Sequence, residues 1–264
     1  MPHFTEATTL YWQHFLDSAA QSPTHSPAHS PSNSPSNSPA HSAKTTALWQ
    51  FAFPARLTDG RVLMLPIRAL AANPRHAVTS FLINQAALDV AAVIAQQLVA
   101  KLQTEVGKQR FDAIVALPTL GLTLGEGVAR AWGAPSFTRV IPMGCSRKFW
   151  YDEALSTPVQ SITSPAPGKR LYLDPHLLPL IAGKRVLLID DAISTGTTLN
   201  AAWSLVEALG AEVAACGVAM LQGKRWQALL GAARTERVVG VFESPLLEAV
   251  EGGWRECEAS VKQV

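Results

Sequence analysis

The chain has 264 residues, 48% of them hydrophobic and 16% charged, with a formal net charge of +2. That is ample apolar material for one large core and too weak a field to gather a nucleic acid, so no nucleic-acid partner is expected. No uninterrupted apolar stretch reaches the ~18 residues of a membrane span, no basic start followed by an apolar run marks a secretory signal, and Cys145, Cys216 and Cys257 lie too far apart for a zinc site or a disulfide framework. A cytoplasmic setting without a membrane partner is therefore expected.

In chain order, residues 1–17 carry Leu10, Tyr11, Trp12, Phe15 and Leu16, an aromatic-rich face that predicts a short helix docking on the main body or on a sister subunit. Residues 18–46 form a linker containing five tandem tetrapeptides over 22–41, each beginning Ser-Pro. Proline at every fourth position removes donors and blocks helix, and nothing large and apolar is there to bury, so this segment is expected to be disordered. His25, His29 and His41 read as solvated linker residues rather than as metal ligands.

From residue 47 to 264 the chain reads as one globular domain. Leu57-Thr58-Asp59-Gly60-Arg61 supplies an Asp-Gly turn between apolar flanks, predicting a hairpin over 51–66. Ala87, Val90, Ile94, Leu98 and Leu102 share one face of a long amphipathic helix. Ala113–Leu117 predicts a buried strand, Leu122–Trp132 a helix and Phe137–Ile141 a third strand, followed by a long polar excursion from Cys145 to Lys184. Within it, Val159–Ser164 and Arg170–Pro175 read as a strand pair flanking Pro165-Ala166-Pro167-Gly168, while turn chemistry accounts for Asp174 and His176. Val213–Leu221 and Val238–Phe242 predict two more strands. Strands alternating with helices predict an α/β fold, a mainly parallel sheet flanked by helices.

The most informative stretch is Val186 to Leu199, Val-Leu-Leu-Ile-Asp-Asp-Ala-Ile-Ser-Thr-Gly-Thr-Thr-Leu. Four consecutive aliphatic residues suit a strand buried on both faces. Leu199, Ala202, Trp203, Val206 and Leu209 then recur at helical spacing until Gly210, so the loop joins a central strand to a helix and puts Asp190 and Asp191 at the strand's carboxyl end. Ligands of open α/β sheets bind at that edge. Ser194, Thr195, Gly196, Thr197 and Thr198 would offer backbone N–H groups and hydroxyls to an anion at a helix start. Two carboxylates beside an anion cradle must face something else, and paired ribose hydroxyls, with or without Mg²⁺, are suitable partners. A Walker A loop is excluded because no Gly-Lys-Ser/Thr follows the turn.

This run resembles the 5-phosphoribosyl 1-pyrophosphate (PRPP) motif of type I phosphoribosyltransferases, with partial similarity to the adenine enzymes. The resemblance implies that Asp190 and Asp191 hold the ribose 2′- and 3′-hydroxyls and, with PRPP, a Mg²⁺ ion, and that Ser194–Thr198 hold the 5′-phosphate. It also implies a small N-terminal hood, about 47–80, a β flap, about 144–175, and a homodimer. In such a protein the turn Leu117-Pro118-Thr119-Leu120-Gly121 is the natural pyrophosphate loop, through Thr119, Leu120 and Gly121. The segment Ser146-Arg147-Lys148-Phe149-Trp150-Tyr151 resembles the family's mobile catalytic loop, with Lys148 or Arg147 stabilising the departing pyrophosphate. Arg68 in the hood and Trp226 after the last long strand are the candidates for contacting the base. The implied activity is transfer of ribose 5-phosphate from PRPP to a nitrogen nucleophile, a purine or other nucleobase in salvage. One departure stands out: matching the terminal glycines places Pro118 and Leu120 where adenine phosphoribosyltransferases carry a Glu and an Arg. That leaves a second reading open, a non-catalytic PRPP-binding regulator on the same fold.

Overall fold

The computed structural model describes residues 11–17, 48–105, 111–133, 139–159 and 168–257. The Ser-Pro repeat, its three histidines and Leu10 lie outside the described residues. The elements are β1 (Ala52–Arg56), β2 (Val62–Leu70), β3 (Asn73–Thr79), α1 (Leu88–Glu105), β4 (Ala113–Ala116), α2 (Gly121–Trp132), β5 (Val140–Gly144), β6 (Ser156–Pro158), β7 (Arg170–Leu173), β8 (Arg185–Ile193), α3 (Thr197–Ala208), β9 (Glu212–Gln222), α4 (Arg225–Leu230), α5 (Ala232–Thr235), β10 (Val238–Ser244), β11 (Leu247–Val250) and β12 (Gly253–Glu256).

Seven strands form the main sheet in the order β10-β9-β8-β4-β5-β7-β6. The first five are parallel, and β7 and β6 add an antiparallel edge. The fold is therefore the α/β, mainly parallel arrangement expected. β8 is the middle of the five parallel strands, and both its faces are apolar: Leu187 and Ile189 pack with α1 and α2, Val186 and Leu188 with α3, and all four are fully buried. Full burial of such a side chain contributes about 1.5–3 kcal/mol, which makes this strand a strong organiser of the two layers. No helix among the described residues is long and apolar enough to cross a membrane.

A second, antiparallel sheet in the order β1-β2-β3-β11-β12 stands beside β10. The Asp-Gly hairpin forms as expected, with Arg56 paired to Val62 and Arg61 N–H donating to Asp59 Oδ1 at 3.1 Å. The hood segment 47–80 is thus completed by the C-terminal hairpin, which the sequence pattern did not reveal: β11 and β12 are only four residues long and their alternation is faint.

Several expectations are corrected. Tyr11–Asp17 is not helical but a turn followed by an antiparallel bridge from Leu16 to Val62. Trp12 adopts φ 61° and buries its side chain, so the aromatic spacing reflects core filling rather than a helical face. The third strand is described over Val140–Gly144, running past the expected end at Ile141, and residues 137 and 138 of the expected strand lie outside the described residues. Ser156–Pro158 is the strand seen to pair with β7, Ser156 with Tyr172 and Pro158 with Arg170, and residues 160–164 of the expected flap strand lie outside the described residues.

Candidate active site at the carboxyl edge of the central strands

β8 does not stop at the acidic pair. Its pairing to β9 continues through Asp190 opposite Val218 to Ile193 opposite Leu221, whereas β4 leaves it after Ile189, where Leu117 N–H donates to Ile189 O at 2.8 Å. The two carboxylates therefore occupy a strand edge freed by the departure of β4 rather than a strand end. The turn 118–121 then brings α2 back across that edge. Gly121 is needed there, because a Cβ on it would lie 2.8 Å from Ile189 O and 2.9 Å from Asp190 Cα. This close approach sets the end of the turn, at Gly121, against Asp190. Thr119 is exposed and Gly121 buried, and the Pro118–Thr119 peptide is cis.

Asp190 is 8% exposed, one of three buried polar residues among those described. Its Oδ1 accepts a hydrogen bond from the Asp191 N–H at 2.9 Å. Burial pushes its carboxyl well above the usual range, and the Asp191 charge and a side-chain hydrogen bond to Asp191 push the same way. Asp191 is also raised by burial, opposed by hydrogen bonds from Asp190 and from its own and the Ala192 N–H groups. Two partly desolvated acids side by side favour a shared proton, a cation or hydroxyl donors over two bare charges.

Past Ile193 the chain turns through Gly196, at φ 81°, into α3. Asn200 N–H donates to Gly196 O at 2.8 Å, and the Thr195 and Thr197 hydroxyls are 3.1 Å apart. Ser194, Thr195, Thr197 and Thr198 are half-buried, and a helix start of this kind presents N–H groups and a dipole that suit an anion. The turn is braced from behind. A Cβ on Gly196 would meet Trp226 Cβ at 3.1 Å, and Trp226 itself is 4% exposed, with its indole N–H donating to Gly223 O at 3.0 Å. Trp226 therefore offers no open face for stacking, which corrects its assignment to base binding. Arg234 on α5 completes the brace. It donates to Asn200 Oδ1 at 2.6 Å and Glu207 Oε2 at 2.8 Å on α3, with its guanidinium over the Trp203 ring.

On the flap side, Arg147 pairs with Glu153 at 3.0 Å in an exposed position, and Glu153 also takes Arg170 at 3.4 Å. Lys148 is exposed at the following turn. Neither shares a bond with the acidic pair. The sequence reading passed over Lys169, which precedes β7 where that strand emerges at the carboxyl edge of the sheet, and whose charge favours ionised Asp190. A lone lysine after Pro-Gly carries no local pattern, so only the return of β7 alongside β5 could reveal it.

On the hood side, Thr79 and Ser244 form a buried hydroxyl pair 2.6 Å apart. Gln222 Nε2 donates to Thr79 O at 2.7 Å, and Arg68 Nε reaches Ser80 Oγ at 3.3 Å. Gln222 directly follows Leu221, the partner of Ile193, so this polar group stands next to the Ser194–Thr198 turn. Arg68 sits on β2 of the antiparallel sheet, whereas Thr79 and Ser244 end strands whose sequences carry no motif.

A family model, the phosphoribosyl transferase domain, matches residues 77–235. The chain is 44% identical over 82 residues to an adenine phosphoribosyltransferase of Methylococcus capsulatus, covering 27% of this chain and 48% of that protein. It is 32% identical over 146 residues to one of a Nocardioides species, covering 55% and 72%. Over the first of these the chain spans about half the relative's length. Among solved structures, adenine phosphoribosyltransferase of Rhodothermus marinus superposes with a TM-score of 0.51 at 21% identity, over 68% of this chain and 93% of that one. The Giardia lamblia enzyme complexed with 9-deazaadenine gives 0.53 at 16%, over 68% and 93%. The matched span begins in the hood at Ala77 and runs through β8 and its loop to α5, and by that match the chain belongs to the phosphoribosyl transferase domain family.

Proposed function

We propose that this protein is a phosphoribosyltransferase that transfers ribose 5-phosphate from PRPP to a purine, with adenine the first acceptor to test. One observation carries the reading: a desolvated carboxylate pair and a donor-rich helix start stand side by side at one sheet edge, with a second turn packed directly against the acids. Asp190 and Asp191 accept hydrogen bonds from the ribose 2′- and 3′-hydroxyls. Backbone N–H groups and hydroxyls of Ser194–Thr198 hold the 5′-phosphate, and Thr119–Gly121 receive the pyrophosphate.

Mg²⁺ fits this donor set as a shared ion. Among the described residues no three His, Cys, Asp or Glu side chains gather as a metal cluster, so the acids would hold it together with PRPP oxygens, and it would offset charge on the pyrophosphate. In the reaction the C1′–oxygen bond breaks with its electron pair leaving on pyrophosphate, a nitrogen lone pair of the base bonds to C1′ from the opposite face, and the ring N–H proton of the base passes to pyrophosphate or solvent. Negative charge grows on the leaving group, where Lys169, and Lys148 and Arg147 once the flap closes, stabilise it. The base sits beneath the hood, against Gln222 and Arg68.

The test joins PRPP calorimetry with pyrophosphate release over a panel of purines and pyrimidines with Mg²⁺. Tight PRPP binding that is lost when Asp190 and Asp191 are both changed to Asn, with turnover of a purine, is the expected result. PRPP binding without turnover of any base would replace the enzyme by a PRPP-binding regulator, a reading favoured by Pro118 and Leu120 in the pyrophosphate turn. No PRPP binding at all would overturn both.

A further inference from the structure

The N-terminal segment 11–17 has no place in the donor half of the site, yet it is the outer clamp on the acceptor half. We propose that this strap, through Trp12, positions the Thr79–Ala87 segment and so sets affinity for the acceptor base; the proposal rests on the acceptor lying beneath the hood.

The segment between β3 and α1 is tied to a strand at its start, where Ser80 N–H donates to Pro66 O of β2. Beyond it, the backbone bonds within the segment are local turns, Gln85 N–H to Leu82 O and Ala86 N–H to Ile83 O. The strap supplies further contacts. Ala87 N–H donates to Trp12 O at 2.9 Å, and Gln13 Nε2 donates to Gln85 O at 3.0 Å and to Tyr11 O at 2.9 Å. The strap is fixed in turn by its two-way bridge to Val62 and by Arg61 over the Phe15 ring at 4.8 Å.

From Trp12 the contact runs inward. Its ring meets Phe81 edge-on at 6.3 Å, and Phe81 meets Phe242 at 5.6 Å. Phe81 lies two residues after Thr79, and Phe242 two residues before Ser244, so this aromatic stack is pinned at the Thr79–Ser244 hydroxyl pair, next to Gln222 and Arg68. Displacing Trp12 leaves Phe81 without its outer neighbour and withdraws the strap's bond to Ala87, so Phe81 can shift against Phe242 and the strand ends that carry Thr79 and Ser244.

The conformation of Trp12 is an unfavourable way merely to fill a core. It holds a left-handed backbone at φ 61°, and its indole N–H is buried without a partner among the described residues. Both features disfavour docking, and such outliers persist where surrounding contacts over-determine them, commonly at binding sites. The donor half is independent of the strap: the Gly196 turn is braced by Trp226 and Arg234 on the opposite face of the sheet.

The experiment compares Trp12→Ala and Trp12→Phe in the full chain, with adenine, PRPP and Mg²⁺, below the unfolding temperature of each. For Trp12→Ala the KM for adenine should rise on the order of tenfold, as expected when a binding wall is misplaced by a fraction of an ångström, while kcat and the KM for PRPP stay within about twofold. Trp12→Phe should restore most of the adenine affinity. Hydrogen exchange should speed up over residues 79–87 and not over 185–193. Equal changes in both KM values, or a lower melting temperature with neither changed, would overturn the strap's role. If Trp12→Ala does not fold, Gln13→Ala carries the same test with a smaller split of about threefold. Wild-type protein that binds PRPP but does not turn over adenine would instead overturn the acceptor reading, and this proposal with it.

Discussion

Replacing Gly121 by alanine adds a single methyl group at the point where α2 meets the acidic strand. The new Cβ would lie 2.8 Å from Ile189 O, 2.9 Å from Asp190 Cα and 3.0 Å from Asp190 Oδ1. The first two are strand backbone atoms, Ile189 O held by Leu117 N–H and Asp190 by its pairing to Val218, so they cannot swing away, and α2 must retreat by about half an ångström to regain van der Waals distance. Forced overpacking of this kind costs about 1–3 kcal/mol. Alanine's better helix propensity returns at most about 1 kcal/mol, and less at a first helical residue. The net loss of about 1–2 kcal/mol corresponds to a melting temperature lower by about 3–6 °C for a domain of this size. The same retreat carries Thr119–Gly121 away from Asp190, so PRPP affinity should fall about tenfold or more. Differential scanning calorimetry and PRPP titration measure the two effects. A variant that keeps both melting temperature and affinity would refute the argument that this approach is tight and that the turn and the acids serve one ligand.

Asp190→Asn should bind PRPP poorly yet unfold less readily at neutral pH. Burial holds the folded Asp190 carboxyl well above its unfolded value of 3.8, so the folded state binds more protons than the unfolded one above that value, and stability falls as pH rises through the window between the two. Asparagine keeps the Oδ1 acceptor for Asp191 N–H without that penalty. Denaturant melts should show a stabilisation at pH 7 that disappears below about pH 3.8; equal stability at both pH values would show that Asp190 ionises without cost. Lys169→Met should lower kcat by roughly ten- to a hundredfold while the KM for the base stays nearly constant, because its charge is needed as pyrophosphate leaves. A rise confined to the KM for PRPP would make Lys169 a ground-state anchor instead.

The strands and helices that could be read in advance share one property: their side-chain pattern is dictated by burial along the element itself. The all-aliphatic Val186–Ile189 run, the periodic face of α1 and the Asp-Gly hairpin are local statements, and each appears where expected. Trp12 and Trp226 show where local reading fails. An aromatic residue at helical spacing and another at a helix start are compatible with a docking helix and a stacking platform. The structure instead buries both, one behind the hood and one behind the Gly196 turn, because their neighbours come from segments distant in sequence.

The proposed donor site was legible because its groups lie on contiguous chain: a buried strand, two acids and a turn rich in N–H groups are all local and all encoded between Val186 and Leu199. The proposed acceptor wall was not. Thr79, Gln222 and Ser244 meet only when the antiparallel sheet is laid against the end of the parallel one, and Lys169 reaches the carboxyl edge that carries the acids only when β7 returns alongside β5. One chain segment can declare an anion cradle through backbone geometry, whereas a wall assembled from separate strand ends and loops exists only once packing has chosen which of them become neighbours.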